Sequence, residues 1–247
     1  MDRDNRRASR PRVGLLESAM QRLFTRSAQV QDLEDVGTAF RIVTLGGDAL
    51  RGVDWTPGDK VQIQLGGWVQ RTYTPLDWDA GAGRARLLVH LQGDGPGTQW
   101  ARNLRAGDAC VVFGPRKSID LTRCAASALL FGDETSFGLA AALLRAVRPP
   151  SVHLLFEVSS LALVQPALAH LGLGGAELGV RAANDAHLAT LEEQLLARVR
   201  GQATTSVVLT GHAGSIQRLR KRLRQARVEP SRLQVKAYWA TGKTGLD

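Results

Sequence analysis

The sequence predicts a β + α/β chain: a six-stranded antiparallel Greek-key barrel, then a parallel-sheet domain of the nucleotide-binding kind. Three observations carry this. Before Pro115, short alternating or apolar segments recur between turns rich in glycine, proline and aspartate. After it, apolar strand patterns alternate with helical ones, as helices covering both faces of a parallel sheet require. With 247 residues, 44% of them hydrophobic, the chain can fill two packed cores.

Residues 1–27 read as a basic tail and a short helix. Residues 1–12 hold five Arg and two Asp with no apolar stretch behind them, so no secretory signal is expected. Leu15, Leu16, Met20, Leu23 and Phe24 recur at helical spacing. The barrel domain is expected at 28–120, with strands at 28–36, 40–45, 60–65, 69–74, 86–92 and 109–113. One helix interrupts it at 98–104, where Thr98 is placed as N-cap after a glycine turn. The second domain is expected at 121–247. Its strands fall at 128–131, 152–158, 177–182, 207–210 and 234–239, and its helices at 136–147, 162–170, 188–200 and, after Gly211, on to Arg227.

Composition narrows the function classes. No apolar run approaches the ~18 residues that span a membrane, so no membrane partner is expected. Cys110 and Cys124 are too few for a disulfide framework and read as buried thiols in a reducing cytoplasm. The five histidines show no metal-binding spacing, so no metal is assigned. No nucleophilic triad is apparent, and no side chain is assigned as catalytic. The net charge of +9 comes from two segments, +3 from 1–12 and +6 from 218–227, while the remainder sums to zero. They read as a tail and a helix face, and nucleic acid is not expected as a main partner. Gly242-Lys243-Thr244 has no helix after it and is not a phosphate loop; a GxGxxG fingerprint is lacking.

Three motifs carry chemistry. Arg71-Thr72-Tyr73-Thr74 offers a guanidinium for a phosphate, a flat ring and a hydroxyl, with Arg71 and Tyr73 on one face of a strand. It could equally be an ordinary strand with a surface arginine. Gly95-Pro96-Gly97-Thr98 opens the helix that holds Trp100, and its free amides suit an anion, or form a plain capped turn. Gly132-Asp133-Glu134-Thr135 and Gly211-His212 end the first and fourth strands of the parallel sheet, where such sheets bind ligands. His212 could also be a solvent-facing loop histidine.

In this order, Arg71-Thr72-Tyr73-Thr74, then Gly93-Asp94-Gly95-Pro96-Gly97-Thr98-Gln99-Trp100-Ala101, Gly114-Pro115-Arg116, Gly132-Asp133-Glu134-Thr135 and Tyr238-Trp239 resemble the siderophore-interacting proteins. These are FAD-dependent ferric-siderophore reductases of the ferredoxin-reductase superfamily. The resemblance runs from about residue 28 to the C-terminus. It implies that Arg71, Thr72, Tyr73 and Thr74 hold FAD, that Gly95, Pro96, Gly97 and Thr98 cradle its pyrophosphate, and that His90 and Trp100 belong to the same site. It implies that Gly132, Asp133, Glu134, Thr135, Gly211 and His212 line the side of NADH or NADPH. Tyr238 and Trp239 would bring an aromatic lid toward the flavin. Arg116, Lys236 and Lys243 are candidates for a basic rim that attracts an anionic ferric siderophore. A cytoplasmic monomer is expected. The chain departs from the family pattern where Pro75-Leu76 follows the strand motif, where Gln92 precedes Gly93-Asp94, and where His212 replaces a glutamate. Another electron donor, another flavin reductase of this fold, and a non-catalytic flavin- or nucleic-acid-binding protein stay open.

Overall fold

The computed structural model describes residues 25–243 except 68, 125 and 203. The expected basic tail and amphipathic helix, and Thr244, lie outside the described residues.

The first sheet is antiparallel and has seven strands: β1 (Thr25–Val36), β2 (Phe40–Gly46), β3 (Lys60–Gly66), β4 (Val69–Tyr73), β5 (Pro75–Asp79), β6 (Arg84–His90) and β7 (Ala109–Arg116). Their order is β4-β3-β7-β1-β2-β6-β5. The strand missing from the sequence reading is β5. It begins with Pro75, which lacks an N–H for a ladder, and proline is tolerated at a sheet edge. The two edge strands β4 and β5 are consecutive, with Thr74 alone between them, so the curled sheet brings both edges to that residue. The described ladder does not close into a ring. Along β6, Ala85, Leu87 and Val89 point into a core with Val30, Val43, Leu45, Val61, Ile63 and Val112. Helix α1 (Pro96–Asn103) covers it with Ala101.

The second sheet is parallel, in the order β10-β9-β8-β11-β12: β8 (Ala128–Gly132), β9 (Val152–Val158), β10 (Glu177–Val180), β11 (Ser206–His212) and β12 (Leu233–Trp239). Every residue of β8 is buried, as a central strand covered on both faces must be. Helix α2 (Phe137–Ala142), which continues as a π turn to Val147, and α3 (Leu161–Leu171) pack on one face with Leu130 and Phe156. On the other face, α4 (His187–Gly201) and α5 (Ala213–Gln225) pack on Leu129, Phe131 and Leu155. The chain turns back at β8, so the switch point lies between the carboxyl ends of β8 and β11.

The two sheets share a core. Val36, Phe40, Ile42 and Leu76 of the first join the cluster around α2 and α3. Phe40 stacks on Phe137 at 5.5 Å, and Phe137 meets Phe156 edge-on at 4.8 Å. No helix among the described residues is long and apolar enough to cross a membrane. Among them, no group of histidine, cysteine or acidic side chains could hold a metal ion.

Candidate functional site

The β4 motif and the α1 turn meet. Strand alternation aims Arg71 and Tyr73 at the start of α1. There a Cβ on Gly97 would lie 3.0 Å from the Tyr73 hydroxyl and 3.4 Å from Arg71 Cγ. The Tyr73 ring lies 6.1 Å from Trp100. Burial pushes the Tyr73 hydroxyl well above its ordinary range, with Arg71 opposing. Pro96 occupies the first turn of α1, and the N-cap is Gly95. Thr98 therefore does not cap the helix. It is buried inside the first turn and donates its hydroxyl to Gln92 O at 3.2 Å, which fixes the turn instead. By helix geometry the N–H groups of Gly97 and Thr98 have no acceptor within the helix. The aliphatic stem of Arg71 lies beside this turn, and its guanidinium donates to Gln70 O at 2.7 Å. A cavity of about 510 Å³ opens next to this turn between Leu65, Val69, Pro96, Trp100 and Leu104.

The second group sits at the carboxyl end of the parallel sheet. Asp133, Glu134 and Glu157 are 0%, 3% and 1% exposed. Asp133 Oδ1 accepts the Thr135 N–H at 2.9 Å, and Oδ2 accepts the Trp239 indole N–H at 2.7 Å. Burial raises its pKa to about 6 against the pull of Thr135, Trp239 and Arg181. Burial also opposes ionisation of Glu134, but Arg181 and the Ser159 N–H outweigh it and hold its pKa below the ordinary value. Arg181 spans the cluster, 2.9 Å from Glu134 Oε2, 3.6 Å from Asp133 Oδ2 and 3.9 Å from Glu157 Oε1. Its guanidinium lies 5.7 Å from the Trp239 ring centre, and His212 lies 4.4 Å from the same ring. Gly211 permits this packing, because a Cβ there would sit 2.5 Å from Asp133 Oδ2, and its φ is +98°.

Thr74 joins the two groups. A Cβ on Gly138, in α2, would lie 3.2 Å from the Thr74 carbonyl oxygen. The Tyr238 hydroxyl, raised to about 12 mainly by burial, lies against Thr74 from β12. His90 stands on the same seam, its ring 4.8 Å from Phe40. Burial lowers its pKa, while Glu134 raises it and Arg181 lowers it. The His90 Nε2 and Tyr238 hydroxyl are buried without a hydrogen-bond partner. Thr72 pairs with Gln62 in the ladder, and Arg116 donates to the Gln62 side chain. Lys236 lies on β12 in register with Thr210, and Lys243 is exposed in the turn after that strand.

Sequence reasoning missed Arg181, Glu157, Ser159 and His187. The signal was available: Glu157 and Ser159 bracket the end of the second parallel strand and Arg181 follows the third, where ligands bind in such sheets.

Two family descriptions match this chain: the siderophore-interacting FAD-binding domain at residues 67–119 and the siderophore-interacting protein at residues 125–242. No curated protein sequence matches. Among solved structures, a siderophore utilization protein from T. fusca is similar at a TM-score of 0.68 and 24% identity, over 90% of this chain and 95% of that one. The siderophore-interacting protein SipS from Aeromonas hydrophila is similar at 0.71 and 21%, over 89% and 93%. Phthalate dioxygenase reductase is similar at 0.71 and 14%, over 90% and 71%.

Proposed function

We propose that this chain, which belongs to the siderophore-interacting protein family, uses FAD and NAD(P)H to reduce ferric siderophores and release iron(II). It is a flavin-dependent electron-transfer protein with FAD as its cofactor. The observation that carries the reading is the close approach of Gly97 to both Arg71 and Tyr73. Any larger residue there would press on the Tyr73 hydroxyl and the Arg71 stem, whose guanidinium would have to leave Gln70 O to meet an anion at the helix amides.

The residues fit the group. Arg71 and the first turn of α1 would neutralise the pyrophosphate, Gly95 and Gly97 would leave it room, and the cavity beside Trp100 adjoins that position. Tyr73 would lie along the ring system or its chain, and Thr74 would hydrogen-bond the ring edge. The unpartnered His90 Nε2 and Tyr238 hydroxyl on the same seam are polar groups that a bound ligand could satisfy. Bound FAD supplies the step from a two-electron hydride donor to a one-electron metal acceptor.

The chain's own part is to bind, orient and exclude water. The apolar cluster around Phe40, Leu76 and Phe137 keeps solvent out between the sheets. Asp133 and Arg181 hold Trp239 at the switch point, where the nicotinamide nucleotide would enter. Thr135, Gly132, Gly211 and His212 would line that entrance. Lys236, Lys243 and Arg116 would form the basic rim toward an anionic chelate. Iron(III) is a hard ion held by oxygen donors, and its reduction weakens that hold. The buried unpaired thiols of Cys110 and Cys124 support a reducing cytoplasm as its setting, and we read it as a monomer without a nucleic-acid partner. The FAD-loaded protein should reduce a ferric chelate with NADH or NADPH as donor. Acceptor screening separates this from another flavin reductase: turnover with ferredoxins or quinones but no ferric chelate would sink the siderophore reading.

A further inference from the structure

We infer that the dinucleotide crevice selects NADH over NADPH, through its uncompensated carboxylates and the uncharged Ser159-Ser160 tip after β9. This rests on the reading of NAD(P)H as donor. In doubly wound sheets the residues ending the second strand read the adenine ribose: an acidic residue suits a 2′-hydroxyl, and a nearby arginine accommodates a 2′-phosphate. Here β8 is the first strand, β9 the second, and β9 ends in Glu157-Val158 followed by Ser159-Ser160.

The charge count is unfavourable to a phosphate. Asp133, Glu134 and Glu157 are all buried at this edge, and Arg181 is the cation among them. Arg181 is already engaged. Its Nη1 donates to Glu134, and its Nη2 is buried between Asp133 and Glu157 rather than offered to an incoming ligand. His187 faces the same Glu157 carboxylate. Its Nδ1 accepts the Ala182 N–H at 3.2 Å, so its proton sits on Nε2 and is donated to Glu157 Oε2 at 2.9 Å. Beyond Arg181 the chain continues Ala182-Ala183-Asn184-Asp185, with no further basic residue.

One feature pulls the other way. Ser160 is the N-cap of α3, and a helix N-terminus attracts anions. That end is worth roughly half a positive charge. Two carboxylates in excess of Arg181 outweigh it for a group carrying about −1.5 to −2 charges. The Ser159 N–H, one residue before that cap, donates to Glu134 at 2.5 Å and so holds a carboxylate against that end. The buried polar atoms without a hydrogen-bond partner at this edge are an acceptor, Glu157 Oε1, and a donor, Arg181 Nη2, 3.9 Å apart, and the Ser160 hydroxyl makes no capping bond. Those groups suit a hydroxyl.

The test uses the full chain loaded with FAD. Reduction is followed with NADH and with NADPH, and calorimetry compares ADP with 2′,5′-ADP as probes that carry no electrons. The expected result is a kcat/KM at least about tenfold higher for NADH, and weaker binding of 2′,5′-ADP than of ADP. Ser160→Arg should move the NADPH-to-NADH ratio upward by about tenfold, because it adds the missing cation. Equal or better use of NADPH, or tighter binding of 2′,5′-ADP, overturns the inference and leaves the reductase reading standing. Reduction by neither nucleotide overturns both.

Discussion

At the scale of single residues, the account depends on atoms that a side chain would displace. Gly97 is the sharpest case, since a methyl group on its Cα would have Tyr73 and Arg71 within 3.4 Å. Gly97→Val should weaken FAD binding by about tenfold or more, read from quenching of flavin fluorescence, while the far-UV circular dichroism stays native. Unchanged affinity would remove the cradle from the site. Asp133 makes a different prediction. Its pKa is raised by burial to about 6, so it binds its proton more tightly in the folded chain than in the unfolded one. The stability carried by that proton is fully present below the unfolded value near ~3.9 and is lost as pH rises through about 6. The cost of Asp133→Ala, measured by urea unfolding, should therefore shrink between pH 4.5 and 7.5, by about 2 kcal/mol. A difference that does not change with pH would contradict the burial argument. The residues that were legible in the sequence, Arg71, Tyr73, Gly97 and Asp133, lie in short motifs whose chemistry is local. Arg181 and Glu157 were not legible, because their meaning comes from strand ends distant in sequence that parallel pairing brings to one edge.

At the scale of elements, turns and strand ends do the positioning. Gly211, next to last in β11, has φ +98°, and its missing side chain lets Asp133 reach Trp239. Gly211→Ala should cost about 3 kcal/mol in thermal or urea unfolding and alter the tryptophan emission, since the methyl would push the carboxylate away. An unaltered melting temperature and spectrum would show that the contact is slack. The parallel half of the chain was readable almost strand by strand, because buried parallel strands are continuous apolar runs such as Ala128–Gly132. The antiparallel half was less so. β5 hid behind Pro75, and α1 begins at Pro96 rather than Thr98 because proline's fixed φ suits a first turn.

At the scale of the whole molecule, the two sheets are one packed body. Phe137 is fully buried between Phe40 of the first sheet and Phe156 of the second. Phe137→Ala should cost about 3–5 kcal/mol, and unfolding should remain a single transition that near-UV and far-UV signals follow together. Two separated transitions would mean that the halves are held by less than a shared core. No sequence pattern marks this interface, since Phe40 and Leu76 look like any other inward strand residues until α2 is laid on them. The interface matters to function because it fixes the β4 motif and the switch point on either side of Thr74. The central claim is that this junction holds FAD by the Arg71–Tyr73–Gly97 cradle. The most direct measurement is the visible spectrum of the purified protein after incubation with FAD and removal of the excess, beside that of Arg71→Ala. The account predicts bound oxidised flavin in the wild type, bleached by NAD(P)H and restored by a ferric chelate, and much weaker retention in the variant. A colourless wild-type protein, or equal retention by Arg71→Ala, would contradict it.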